Sequence, residues 1–162
     1  MMRILIIANN MLARLGLAAM LTEWEQAQVI GQTALTDSLA DDITRWQPDA
    51  ALMEYSTTAD RRYYESLQGL PTVALLANPT QAAGAVTALT GCGAYGLLFN
   101  DTDTDAIIGA LQAVHSGLIA LDPLLAPDLM SAPFDPDVEA SAVLTPRERE
   151  VLQLMAEGLP NK

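Results

Sequence analysis

The sequence predicts a doubly wound α/β domain built on a five-stranded parallel sheet. Short apolar blocks alternate with longer segments of helical spacing, and this pair of patterns recurs five times within the first 117 residues. The blocks are almost continuously apolar, which is typical of strands buried on both faces. Apolar residues make up 51% of the 162-residue chain and charged residues 17%, which is ample for a packed core. Parallel strands joined by helices require crossovers on both faces of the sheet.

Each element follows from a local pattern. The predicted strands are the apolar blocks 3–8, 27–32, 50–55, 72–77 and 95–99. The predicted helices are the segments 11–24, 36–46, 60–67, 80–91 and 103–117. We expect the fourth helix to be the least stable, because Gly84 costs about 1 kcal/mol relative to alanine inside a helix. Asp103 is placed to cap the fifth helix.

Composition changes after Gly117, where prolines and scattered acids accumulate. We therefore predict an α/β domain over 1–120 and a linker over 121–143, with a short helix at about 123–131. A third segment, 144–162, begins a further helix: Thr145 and Glu148 form a capping box. This helix cannot bury its apolar face alone, so we expect it to begin an all-α domain that is incomplete in this chain.

Charge and residue usage exclude several classes of function. The net charge of −12 should repel nucleic acid from the bulk of the chain, and the only lysine is Lys162. A single cysteine, Cys92, excludes an internal disulfide. No apolar run reaches the ~18–20 residues of a membrane span, so we expect a cytoplasmic protein. No glycine-rich phosphate loop follows the first strand and His115 is the sole histidine, so we predict no enzyme activity and no cofactor.

Ligands of doubly wound sheets bind beyond the carboxyl ends of the strands. The segments "PDAALMEYS" (48–56), "GAYGLLFNDTDTDAIIGALQAV" (93–114) and "LTPREREVLQLMAEGLPNK" (144–162) resemble two-component response regulators of the LuxR/NarL type. That family joins a flavodoxin-like receiver domain to a helix-turn-helix DNA-binding domain. The similarity covers nearly the whole chain and is most specific in the terminal segment.

The resemblance implies a phosphorylation site, and every residue at its positions departs from the family pattern. The acidic pair that holds Mg²⁺ falls on Ala8 and Asn9, and the phosphoacceptor aspartate falls on Glu54. The hydroxyl position falls on Leu76, the switch aromatic on Leu97 and the lysine on Asn100. These six residues form the degenerate phosphoacceptor pocket: Ala8, Asn9, Glu54, Leu76, Leu97 and Asn100.

Such a pocket is unsuited to phosphoryl transfer. Mg²⁺ needs hard oxygen ligands in octahedral geometry, and one carboxylate, one amide and one methyl group do not supply them. Without the metal, nothing neutralises the charge that develops during transfer. Glu54 also carries its oxygens about 1.5 Å, one C–C bond, further out than aspartate. We predict a pseudo-receiver without a metal. Glu54 as a mimic of phosphoaspartate is an alternative, although the lysine and hydroxyl partners of that mimicry are absent.

The resemblance implies a transcription regulator that binds DNA through the C-terminal domain of the full-length protein and forms a homodimer. Arg147, Arg149 and Lys162 are candidates for contacts to the DNA backbone, while base recognition would come from a later helix. Another input would then replace phosphate. It is either a regulatory protein or small neutral ligand held by Ala8, Asn9, Leu76 and Leu97, or constitutive dimerisation regulated by abundance. The alternative function is a protein-interaction or ligand-binding module without DNA binding, and a flavin protein is a third.

Overall fold

The computed structural model describes residues 1–126 and contains a six-stranded parallel sheet with helices on both faces. The strand order is β2-β1-β3-β4-β5-β6, and every neighbouring pair is parallel. The strands are β1 Met2–Ile7, β2 Ala27–Thr33, β3 Ala50–Glu54, β4 Thr72–Leu76, β5 Tyr95–Phe99 and β6 Ala120–Leu121. The chain runs outward from β1 to β2 and returns to β3 on the other side of β1. The topological switch point therefore lies between β1 and β3.

The helices form two layers. They are α1 Met11–Leu21, α2 Leu39–Trp46, α3 Arg61–Glu65, α4 Ala82–Leu89 and α5 Thr104–His115. α1 and α5 cover one face of the sheet, and α2, α3 and α4 cover the other. Successive side chains of a strand point to opposite faces, so Ile4 and Ile6 pack under α1 and α5 while Leu5 and Ile7 pack under the other layer. All four are fully buried, which explains why this strand is an unbroken apolar block.

The predicted fold class is confirmed, and side-chain caps account for several helix starts. Asn10 begins α1 by accepting a hydrogen bond at Oδ1 from the Leu12 amide at 2.8 Å. Asp103 caps α5 as predicted and accepts from the Ala106 amide at 2.8 Å.

The structure adds a sixth strand to the five that were predicted. β6 has only two residues, and Ala120 and Leu121 pair with Gly96 and Leu97 of β5. A run this short has no detectable period, so the sequence pattern did not separate it from the loop after α5. The following segment also packs against the body of the domain, because Leu125 is fully buried in the core under α2, α3 and α4.

α4 contains a glycine at a point of close packing. A Cβ atom built at Gly84 would lie 2.7 Å from the hydroxyl oxygen of Tyr55, so glycine admits that side chain. The α-helical part is flanked by 3₁₀ turns at Pro79–Gln81 and Thr90–Cys92.

Within residues 1–126, no helix is long and apolar enough to cross a membrane. Most of the predicted linker and the whole of the predicted helix in 144–162 lie outside the described residues.

Candidate functional site

The candidate site lies at the switch point, where the carboxyl ends of β1 and β3 meet. Ile7 of β1 pairs with Met53 of β3, so the residues that follow them, Ala8 and Glu54, emerge side by side at the same edge. The backbone N–H of Asn100 donates a hydrogen bond to the backbone carbonyl of Leu76 at 2.9 Å, which brings the end of β5 to the same edge of the sheet. The topology therefore gathers the backbone of the predicted positions at one edge of the sheet.

The six predicted side chains nevertheless divide between the two faces of the sheet. Glu54 and Asn100 lie on the α1 side, where both line a cavity of about 260 Å³. The opposite wall is apolar and comes largely from α1, through Ala13, Gly16, Leu17 and Met20. Leu76 and Leu97 are fully buried in the core on the α2, α3 and α4 face. The predicted hydroxyl and switch positions thus belong to the hydrophobic core.

The two positions after β1 are occupied by other contacts. Ala8 has no exposed surface, and its amide donates to the Thr33 carbonyl at 3.1 Å. Asn9 accepts a hydrogen bond at Oδ1 from the Leu35 amide at 3.0 Å, which ties this loop to the end of β2. The amide that replaces an acid therefore serves as a structural link between loops.

Arg14 is the residue that sequence reasoning missed. Its guanidinium Nη1 donates to the carbonyl of Ala8 and, at 3.2 Å, to the carbonyl of Asn9. A cationic group thus binds the backbone oxygens of the segment where a receiver would hold its metal. Arg14 is the only charged residue of α1, and one charge in an otherwise apolar helix was the available signal.

The segment after Glu54 is held by tyrosines. The Tyr64 hydroxyl donates to the Ser56 carbonyl at 2.7 Å and accepts from the Ser56 amide at 3.1 Å. Burial raises the pKa of Tyr64 to about 12, so this hydroxyl keeps its proton at neutral pH. The ring of Tyr55 lies 5.6 Å from that of Tyr64, centroid to centroid, and burial also raises the pKa of Tyr55. These contacts fix the chain immediately after Glu54 to α3 and α4.

We predicted a ligand pocket lined by Ala8, Asn9, Leu76 and Leu97, and the burial of these side chains contradicts that prediction. Three of these four side chains have no exposed surface, because the sheet and its helices pack over them. A cavity of about 420 Å³ lies elsewhere, between the β3–α3 loop and α4, and is lined by Tyr55, Tyr64 and small residues of α4.

The donor set at the switch point is poor for a divalent cation. Glu54 supplies one carboxylate, and the backbone carbonyls of Ala8 and Asn9 accept hydrogen bonds from Arg14. No group of three histidine, cysteine or acidic side chains comes together in the part of the chain that the structure describes. Hard cations need several oxygen ligands at once.

The 2-1-3-4-5 order of the main strands defines the domain as a flavodoxin-like α/β domain, the class of fold on which receiver domains are also built. The nitrate/nitrite response regulator protein NarL of Escherichia coli K12 is 31% identical over 172 aligned residues, which cover 98% of this chain and 77% of NarL. The chain therefore belongs to the NarL/LuxR family of response regulators.

Solved structures agree on the fold. A LuxR-family two-component response regulator from Aurantimonas matches with a TM-score of 0.67 at 15% identity, over 80% of this chain and 95% of that one. A structure of two RcsB dimers bound to two parallel DNAs matches with a TM-score of 0.61 at 20% identity, over 98% and 78% of the two chains. No protein-family profile matches the chain.

Proposed function

We propose that this protein is an atypical response regulator whose receiver domain is not phosphorylated in the usual way and passes another input to an attached DNA-binding domain. The observation that carries the proposal is the switch-point edge, where Glu54 is the single carboxylate beside Ala8 and Asn9. Phosphoryl transfer depends on positioning and on neutralising charge with metal and cationic groups. This edge lacks the oxygen ligands that would bind the metal ion.

The contacts around the edge support the same proposal. Arg14 donates hydrogen bonds to the carbonyls of Ala8 and Asn9. The side-chain oxygen of Asn9 accepts a hydrogen bond from the Leu35 backbone amide. Asn100 stands where the family has a lysine, and an amide carries no charge to hold a phosphoryl group. A cation binding here would share these oxygens with existing hydrogen-bond donors, one of them the cationic Arg14.

Acetyl phosphate with Mg²⁺ tests the proposal directly, with intact-mass spectrometry as the readout. We expect the wild-type chain to keep its mass, while a phosphorylatable receiver treated in parallel gains one phosphoryl group. A matched variant, Asn9→Asp with Glu54→Asp and Asn100→Lys, restores three family residues and should gain weak Mg²⁺ binding. A stoichiometric phosphoryl adduct on wild type that Glu54→Gln abolishes would overturn the proposal.

A second candidate is that Glu54 imitates a phosphorylated aspartate, since it keeps a carboxylate at the phosphoacceptor position. The cavity shared with Asn100 is otherwise apolar, and no ion pair to Glu54 forms among residues 1–126. This environment favours an inherited polar residue over a mimic. Promoter output of Glu54→Gln in the full-length protein distinguishes the two, because a mimic loses output and an inherited residue does not.

DNA binding belongs in this proposal to the C-terminal domain of the full-length protein, which begins at residue 144. Arg147, Arg149 and Lys162 lie outside the described residues and remain candidates for backbone contacts. Neutralising one phosphate contributes about −0.9 to the slope of log affinity against log salt. Arg147→Ala should therefore reduce the salt slope of the full-length protein by about 1. Arg45→Ala on α2 is the control and should leave the slope unchanged.

We also propose that the protein works as a homodimer.

The alternative to a DNA-binding regulator is a protein-interaction module without DNA binding. It predicts that the full-length protein shows no sequence preference in a gel-shift experiment. Nanomolar, sequence-selective binding by the full-length protein would exclude the module.

A further inference from the structure

The cavity of about 420 Å³ between the β3–α3 loop and α4 has the size and the composition of a small-molecule site. Such sites usually have volumes of about 300–1,000 Å³ and mostly apolar walls, with a few polar groups that orient the ligand. Two tyrosines and several alanines line this cavity together with one arginine, Arg61. Its apolar residues pack on the α2, α3 and α4 side of the sheet, whereas Glu54 lines a separate cavity against α1. The two cavities are therefore distinct sites.

Tyr55 brings an unoccupied hydroxyl group to this cavity. A Cβ atom at Gly84 would lie 2.7 Å from the Tyr55 hydroxyl oxygen, so the hydroxyl rests against α4 at its glycine. The Tyr64 hydroxyl is already bonded to both backbone groups of Ser56. The Tyr55 hydroxyl makes no hydrogen bond to any residue in 1–126. Burial raises the pKa of Tyr55, so this group keeps its proton at neutral pH and can donate to a ligand.

Arg61 gives the cavity a positive charge. Its Nε lies 3.6 Å from Glu65 in an ion pair exposed to solvent, which holds the guanidinium only weakly. A guanidinium has five N–H donors and no acceptor, so the other donors can bind an anionic group. No carboxylate lines the cavity, although the chain has 20 acidic residues and a net charge of −12. The wall therefore favours a ligand that carries negative charge.

We infer that this cavity, lined by Tyr55, Arg61, Tyr64 and Gly84 and here called the Tyr55 cavity, binds a small aromatic carboxylate. The carboxylate binds Arg61, and the Tyr55 hydroxyl donates to an oxygen of the same ligand. The Tyr55 and Tyr64 rings already form a tilted pair 5.6 Å apart, centroid to centroid. A third ring extends this cluster by the offset or edge-to-face contacts that aromatic groups prefer.

The ligand would connect the loop that follows Glu54 to α4, because the Tyr55 cavity lies between these two elements. As the input to the receiver, the ligand rests on the function proposed above, whereas its binding does not. A ligand of this size gains limited binding free energy, so we expect a dissociation constant of about 0.1–1 mM.

Titration of the whole chain with 2-naphthoate, followed by amide proton–nitrogen correlation spectra, tests the inference. The amide signals of Ser56 and Gly84 should shift saturably, while that of Gly109 on α5 should stay in place. The neutral isostere 2-naphthamide should bind about tenfold more weakly, because it lacks the charge-assisted bond to Arg61. Benzoate should bind more tightly than cyclohexanecarboxylate, which has no aromatic ring.

Variants separate the two contacts. Arg61→Gln should weaken 2-naphthoate about tenfold and leave 2-naphthamide unchanged. Arg45→Gln is the matched control, because it removes the same charge from an exposed position on α2 and should leave both affinities unchanged. Tyr55→Phe should weaken both ligands by about two- to tenfold, the value of one neutral hydrogen bond. Circular dichroism should show that all three variants remain folded.

Several results would overturn the inference. They are the absence of a shift at Gly84 up to about 10 mM 2-naphthoate, equal binding of the acid and the amide, equal losses for Arg61→Gln and Arg45→Gln, and cyclohexanecarboxylate binding as tightly as benzoate. The acetyl phosphate experiment is run without 2-naphthoate, so the proposed function fails or stands separately.

Discussion

Removing one hydroxyl group should loosen the segment that follows Glu54. In Tyr64→Phe, the Ser56 carbonyl loses a donor at 2.7 Å and the Ser56 amide loses an acceptor at 3.1 Å. A net hydrogen bond contributes about 0.5–1.5 kcal/mol, so two are worth about 1–3 kcal/mol. Ser56 is partly exposed, and water can reach the freed groups, which favours the lower half of that range. We expect Tyr64→Phe to lower the free energy of unfolding by about 1–2 kcal/mol.

Urea unfolding followed by circular dichroism measures this loss. Tyr63→Phe is the matched control on the same helix, because its hydroxyl accepts one exposed hydrogen bond from Arg62 at 3.2 Å. That change should cost less than about 0.5 kcal/mol, as is usual for surface positions. The Arg62 guanidinium also lies 5.0 Å from the Tyr63 ring, and phenylalanine retains that contact. Equal effects of the two substitutions would refute the argument that the bonds to Ser56 anchor this segment.

Four further outcomes are expected. Gly31→Ala places a Cβ 2.5 Å from the Trp46 ring and should destabilise by about 1–3 kcal/mol in urea unfolding, whereas Gly109→Ala in open space should stabilise α5 by about 0.5–1 kcal/mol. Burial raises the pKa of Cys92 to about 11, so at pH 8 its thiol should react with a thiol reagent far more slowly in the folded chain than in urea. The folded state holds the Tyr64 proton more tightly than the unfolded state, so stability should fall from about pH 10 through about pH 12, and the Tyr64→Phe variant should lack this component in pH-dependent unfolding.

The fold followed from the sequence because four of its strands, β1, β3, β4 and β5, are largely buried on both faces. Residues such as Ile4, Leu5, Ile6 and Ile7 must all be apolar when helices cover both sides of the sheet, so each strand is a visible block. β6 escaped prediction because two residues carry no period. The boundaries of α1 and α2 shifted by about three residues, since chain near a helix end shares the composition of the helix.

The site was harder to predict than the fold, for a geometric reason. Sequence reasoning placed five residues at or just after strand ends and a sixth, Leu97, within the fifth strand, and treated all six as one pocket. Successive side chains of a strand point to opposite faces of the sheet. Glu54 and Asn100 therefore lie on the α1 side, while Leu76 and Leu97 lie in the core on the opposite face. Arg14 was missed because its role depends on how far its side chain reaches from α1 to the loop after β1, and sequence spacing does not give that distance.

The two buried leucines bear on how this receiver works. A hydroxyl and an aromatic ring that change position need a site where burial is partial and polar partners are available. Fully burying a leucine side chain contributes about 1.5–3 kcal/mol, and Leu76 and Leu97 both lie in the core that packs under α4. Exposing either side chain during a rearrangement would cost that amount, with no phosphoryl contact to offset it. The packing that makes these positions stable therefore also opposes a phosphorylation-type switch on this face, independently of the missing metal ligands.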